Sequence, residues 1–177
     1  MYNSSDYFQL KCIVSDVDGE KYCVRERDQV HLAADKLAQV NVGLQSIVSY
    51  CSDKFPNQNN VKRMKNRYNP KKIMETLPTS EYTAFSENKG EKLAFCLSTK
   101  KGGSKLIDIN TLTYVAIHEL AHIATLSIGH TPEFWQNFKF LITQAKEIGV
   151  YNPIDYKKEP EEYCSMIITD NPYYDYK

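Results

Sequence analysis

The chain has 177 residues, of which 42% are hydrophobic and 25% charged, a balance that fits a single globular domain over 1–177 and argues against extended disorder. Basic and acidic side chains number 22 each, so no global charge draws the protein to nucleic acid or to an anionic membrane. Nothing approaches the roughly 20 consecutive apolar residues of a membrane span, and the polar start lacks the apolar core of a signal peptide. The expected setting is intracellular, in cytoplasm or nucleus, or a virus-made particle. Five cysteines stand at 12, 23, 51, 96 and 164 without a CxxC pair. So odd and scattered a set makes a poor disulfide framework, and buried reduced thiols are expected.

Residues 8–14 and 20–25 read as two short strands around Asp16-Val17-Asp18-Gly19, whose Asp-Gly step suits a hairpin. Asp28 then fits a helix N-cap. Val30, Ala33, Ala34, Leu37, Val40, Leu44, Ile47 and Val48 give 29–51 a helical apolar spacing. The pattern loosens over 52–78, where a short helix is expected at 61–67 and Asn69-Pro70 marks a break. Two further strands, 82–86 and 91–98, flank the turn Asn88-Lys89-Gly90. A loop at 100–105 and an extended stretch at 106–109 lead to a helix capped by Asn110 or Thr111 and ending near Leu126. Thr131-Pro132 starts the next helix, with a hydroxyl cap and proline at its first position. Phe134, Trp135, Phe138, Leu141, Ile142 and Ala145 form its apolar stripe, and Gly149 its stop. Pro160 is expected to open a last short helix through Met166.

The chemistry concentrates in His118-Glu119-Leu120-Ala121-His122, with His130 following in the chain. Positions four apart share a helix face, so His118 and His122 can present two imidazoles to one ion. A third nitrogen from His130 leaves Zn²⁺ an open coordination position for water or substrate. Glu119, one step round the helix, reaches that water; as general base it takes the proton when attack begins and passes it to the departing amine. The chain has four histidines, and the fourth, His31, reads as a packing or surface residue of an amphipathic helix. The compact metzincin pattern is absent, because Thr125 and Ile128 stand where it needs glycine and histidine. A carboxylate is the competing third ligand, from Glu133, Glu147, Glu161 or Glu162. None lies in a distinctive motif, and His130 is preferred.

His118-Glu119-Leu120-Ala121-His122 followed by Gly129-His130-Thr131-Pro132-Glu133-Phe134-Trp135 resembles the minimal zinc metallopeptidases of the WLM, SprT-like and related bacterial HELxH families. The match is specific over 112–138 and extends to the flanks only in the order of elements. The resemblance implies Zn²⁺ held by His118, His122 and His130, Glu119 as general base, and hydrolysis of peptide bonds. It also implies a small zincin-like α+β fold, in which a short antiparallel hairpin sheet packs against the metal-binding helix and flanking helices. Members of these families include proteases acting on DNA–protein crosslinks, so protein bound to DNA enters as a substrate class. Two alternatives are a zinc amidase of a small substrate and a catalytically inactive, zinc-stabilised interaction protein.

Accessory residues complete the expectation. The 91–98 strand is the candidate sheet edge along which an extended polypeptide substrate would pair. Tyr163 is the candidate donor to a developing oxyanion, with Tyr151 and Tyr156 as weaker alternatives among 13 tyrosines. Met166 is a candidate apolar floor under the metal. Lys62, Arg63, Lys65, Arg67, Lys71 and Lys72 form a basic stretch that reads either as a contact for nucleic-acid phosphates or as a solvated loop.

Overall fold

The computed structural model describes residues 10–77, 83–103 and 105–176. Strand β1 (Leu10–Val14) turns at Gly19, whose φ of 73° glycine adopts without strain, into β2 (Lys21–Arg25). Helix α1 (Val30–Lys54) buries Ala33, Ala34, Leu37, Val40, Leu44 and Ile47, an apolar stripe at helical spacing. Gln29, not Asp28, occupies its N-cap and makes no side-chain capping bond. Helix α2 (Asn59–Arg67) and the short strand β3 (Ile73–Glu75) follow. Strands β4 (Ala84–Glu87) and β5 (Lys92–Phe95) flank the expected turn. The expected strand starts at Phe8 and Tyr82 lie outside the described residues. Helices α3 (Ile109–Ala124) and α4 (Pro132–Glu147) lead to the hairpin β6 (Glu161–Tyr163) and β7 (Met166–Ile168) and to α5 (Pro172–Asp175).

The fold is α+β, and its main sheet runs β1-β2-β3-β5-β4. It is mixed rather than built of antiparallel hairpins alone: β3 pairs parallel with both β2 and β5. That pairing corrects the assignment of 91–98 as the edge strand. Leu93 N donates to Lys72 O, and Cys96 N on the opposite side donates to Thr83 O, so β5 is bonded on both flanks and β4 is the edge. The helix expected after Pro160 is also corrected. Cys164 and Ser165 take φ values of 52° and 64°, the left-handed pair of a tight hairpin turn, and their amides donate to Ser98 O and Thr99 O. Those tertiary bonds outweigh the local helix-start signal.

Four of the five cysteines depart from the reduced-thiol expectation. Cys12 faces Cys23 across the β1–β2 ladder, Cys96 meets Cys164, and both pairs are disulfides; Cys51 is free and buried. Tyrosines tie segments together. Asn41 Nδ2 donates to Tyr22 Oη (2.9 Å) and Pro70 O (2.8 Å), and Tyr68 Oη donates to Asn41 Oδ1, joining the first hairpin, α1 and the end of α2.

The short β3 is anchored by charge. Glu75, 1% exposed, accepts from Arg27 at 2.9 and 2.5 Å and from Arg25 N at 2.6 Å. Removing one member of a buried pair leaves the other charge desolvated without its partner. Glu75→Ala is therefore expected to lower the unfolding free energy by about 3–5 kcal/mol, measured by urea denaturation. Unchanged stability would show that water replaces the carboxylate freely.

Candidate metal centre

Helix α3 starts at Asp108, which accepts from Thr111 N at 2.9 Å and Thr111 Oγ1 at 2.7 Å; this cap replaces the expected Asn110 or Thr111. It packs against α1, α2, α4 and β4. From Thr111 to Ala124 every residue is buried except His118 and His122. The helix is thus covered on all sides but one, and the open side carries both histidines. Leu126, the expected end of the helix, lies beyond it and is 65% exposed.

His130 joins them. One ligand nitrogen from each of His118, His122 and His130 can be chosen so that all lie within 4.8 Å of one another. His118 Nε2 and His130 Nε2 are 3.2 Å apart. Two nitrogens bound tetrahedrally to zinc at about 2.0–2.1 Å would sit roughly 3.3 Å apart, so the donor set fits that ion. Among the described residues this is the one such group, and Glu133, Glu147, Glu161 and Glu162 are not part of it. Phe134 is the floor: its fully buried ring lies 4.2 Å from His122, 4.7 Å from His130 and 5.1 Å from His118, centroid to centroid. Met166 is 53% exposed and forms no floor.

Glu119 is buried beside the triad, and its Oε1 lies 3.3 Å from His118 Nδ1. With the imidazole proton on Nδ1, shared with Glu119, His118 Nε2 presents a bare lone pair toward His130. The other oxygen, Oε2, makes no hydrogen bond among the described residues. Burial lowers the pKa of His122 to about 4, with the neighbouring Glu119 acting in the opposite sense and His118 and His130 reinforcing the drop. Burial also lowers His130.

The loop that delivers His130 is held from both sides. Glu133 accepts from Leu126 N and Ser127 N at 3.0 Å each and from Ser127 Oγ at 2.7 Å. These bonds hold its carboxyl at about 2, well below the usual carboxylate range. From the opposite side, Lys89 Nζ donates to Thr125 O (2.6 Å), Ser127 O (2.9 Å) and Leu126 O (3.3 Å). Arg63 donates to Ala124 O at 2.7 Å and stands 3.9 Å from Glu133. Sequence reasoning found neither Lys89 nor the role of Glu133. The signal available was the charge of Lys89 in a turn and of Glu133 in the first turn of a capped helix.

The remaining expectations fall elsewhere. Tyr163 Oη points inward, to Cys96 O at 2.7 Å and Thr83 O at 3.2 Å, so its one proton is held by backbone carbonyls. Tyr151 and Tyr156 are buried with their hydroxyls 3.0 Å apart. Tyr163 thus offers no free donor to the triad in this conformation. His31 is exposed. Lys62, Lys65, Arg67, Lys71 and Lys72 are exposed, whereas Arg63 is turned to the end of α3.

No protein-family profile matches the chain. It is 31% identical over 163 residues to the uncharacterized protein R325 of Acanthamoeba polyphaga mimivirus, covering 90% of this chain and 82% of that one. The uncharacterized protein 136R of Invertebrate iridescent virus 6 is 34% identical over 82 residues, 46% of this chain and 44% of its own length. The uncharacterized protein 042R of Invertebrate iridescent virus 3 is 32% identical over 101 residues, 57% of this chain and 58% of its own. Among solved structures, Wss1 from Saccharomyces cerevisiae superposes with a TM-score of 0.50 at 17% identity, over 70% of this chain and 84% of that one. That likeness concerns the fold. No helix among the described residues is long and apolar enough to cross a membrane.

Two outcomes follow from the geometry. A histidine whose folded pKa is depressed binds fewer protons folded than unfolded, so its contribution to stability is complete above about 6.5 and is lost as pH falls toward 4. In metal-free protein, His122 is expected to stay neutral at pH 5 and titrate near 4, read by NMR of the imidazole ring protons; titration near 6.5 would mean the ring is solvated. Glu133→Gln removes the charge that gathers the loop amides. Metal affinity is expected to fall about tenfold or more with the fold intact, as for outer partners of ligands, measured by competition with a chromophoric chelator. Unchanged affinity would show that the loop holds itself.

Proposed function

The chain belongs to the family of protein R325 of Acanthamoeba polyphaga mimivirus, and we propose that it is a zinc-dependent metallopeptidase with His118, His122 and His130 as ligands and Glu119 as general base. The observation that carries this reading is the convergence of three imidazole nitrogens on the one uncovered face of a buried helix, beside a buried carboxylate. Zinc held there would supply a Lewis acid that polarises a substrate carbonyl and acidifies water.

The chain's own groups do the rest. His118, His122 and His130 gather their imidazoles around the Phe134 ring, and His130 keeps the site open to solvent because it is exposed. Glu119 receives the proton of the attacking water at Oε2 and delivers it to the amide nitrogen as the C–N bond breaks, while its Oε1 keeps the His118 ring oriented. The outer edge of β4, which no further strand flanks among the described residues and which lies beside α3, supports an extended polypeptide as substrate, since a sheet edge can add a peptide main chain irrespective of sequence. Openness at His130 favours this over a zinc-stabilised scaffold with an enclosed ion. The exposed lysines and Arg67 of 62–72, none in an ion pair among the described residues, extend the reading to polypeptides held on nucleic acid.

Glu119→Gln and His122→Ala separate chemistry from metal binding. The first is expected to retain one zinc per chain while hydrolysis of an unstructured protein drops by about 10²–10⁴; the second loses both. Zinc content by atomic absorption and cleavage by gel provide the readouts. Full activity in a zinc-loaded Glu119→Gln preparation would sink the mechanism.

A further inference from the structure

Trp135 borders a second feature besides the triad. The Trp135 ring stands 5.7 Å from that of His130, centroid to centroid, and also walls a cavity of about 350 Å³ shared with Asp170, Pro172, Asp175 and Tyr176. Tyr114 fixes its distance from the metal helix. Tyr114 precedes His118 by one helical turn, and its hydroxyl donates to Asp170 O at 2.6 Å. The cavity is therefore docked against the same helix face that carries the ligands.

Its chemistry is an aromatic wall with an acidic rim. Asp175 is already engaged: its carboxylate accepts from Asn171 N at 2.9 Å and faces Lys157 at 3.4 Å. Lys139 donates to Tyr176 O. The Asp170 carboxylate is exposed and has no hydrogen bond or ion pair among the described residues. A planar indole suits the methylene stem or charged head of a basic side chain, and Asp170, which lines the same cavity, brings an exposed carboxylate as counter-charge. An acidic side chain would meet repulsion there, and an apolar one would leave Asp170 unanswered.

We infer that this cavity is a specificity subsite that takes a lysine or arginine side chain of the polypeptide substrate, held between the Trp135 ring and the Asp170 carboxylate. The inference rests on the peptidase reading for its purpose but not for its detection. Trp135 is the single tryptophan of the chain, so its emission reports occupancy directly and without catalysis.

The test titrates zinc-loaded protein with Nα-acetyl-lysinamide and with Nα-acetyl-norleucinamide, which has the same stem and no charge. Saturable change in Trp135 emission is expected with the first, about tenfold weaker binding with the second, and weakening of the first by rising salt. Asp170→Asn should weaken lysinamide binding by about five- to tenfold and Asp170→Lys abolish it. Both changes leave the Tyr114 bond intact because it is made to a backbone carbonyl. A flat lysinamide titration, or Asp170 variants that bind like the parent, overturns the subsite. In parallel, peptide pairs with lysine or norleucine placed in turn at each position flanking the cleaved bond should differ about tenfold in kcat/KM, and Asp170→Asn should reduce that ratio toward one while norleucine peptides are cleaved at the parent rate. If the fluorescence response appears and no peptide is cleaved, the subsite stands and the peptidase reading falls. If peptides are cleaved without preference and emission does not respond, the subsite falls and the peptidase reading stands.

Discussion

Just past the end of α3, the carbonyls and the amides of the chain that leaves it are answered by charges of opposite sign. Lys89 gathers the carbonyls of Thr125, Leu126 and Ser127, and Glu133 gathers the amides of Leu126 and Ser127. A helix terminus leaves such groups without intrahelical partners. Here they are satisfied by side chains from two other elements, the β4–β5 turn and the first turn of α4. Arg63 from α2 adds a third contact at Ala124 O. Three elements thus hold the four residues Ala124 to Ser127, which lead the chain toward His130. The two helical histidines are placed by helix geometry alone; the third depends on this clamp.

The opposite demand falls on α3 itself. A helix packed against three others and a strand has almost no surface left for function, and His118 and His122 occupy the remaining strip. Phe134 then closes the strip from below. Stacking imidazoles on a buried ring desolvates them, which disfavours their charged form. The same contact that costs a histidine its proton makes it a better ligand near neutral pH, because a metal binds only the deprotonated nitrogen. Packing and coordination chemistry therefore point in one direction at this site.

How much of this was legible in the sequence depends on the range of the interaction. The His118–His122 face follows from helical periodicity, and the Thr131-Pro132 cap marks the start of α4 through local backbone chemistry, so both were readable. His130 was readable as a candidate because few histidines exist. Strand β3 was not, since three residues after a proline break carry no periodic signal and their partners in β2 and β5 lie far away along the chain. Missing β3 led directly to misreading β5 as the edge. The β6–β7 turn was hidden because Cys164 and Ser165 adopt left-handed backbone without being glycine. The cysteine pairs followed strand register and tertiary approach, neither of which spacing encodes. Tyr163 reads as a candidate oxyanion donor from the sequence, whereas its hydroxyl is held by backbone carbonyls of Cys96 and Thr83, a tertiary contact that local sequence does not encode.

The β4–β5 turn shows why such local strain is kept. Asn88, Lys89 and Gly90 all have positive φ, and a side chain at Gly90 would meet Arg67 O at 2.4 Å. Left-handed backbone is costly outside glycine, yet two of the three residues are not glycine. This conformation presses the turn against the end of α2 and aims the Lys89 ammonium at the carbonyls beyond α3. Because β4 runs into this turn, the last strand of the sheet and the loop carrying His130 are fastened to the same three residues. The position of the third histidine and the position of β4 are therefore not independent: both depend on the conformation of one turn.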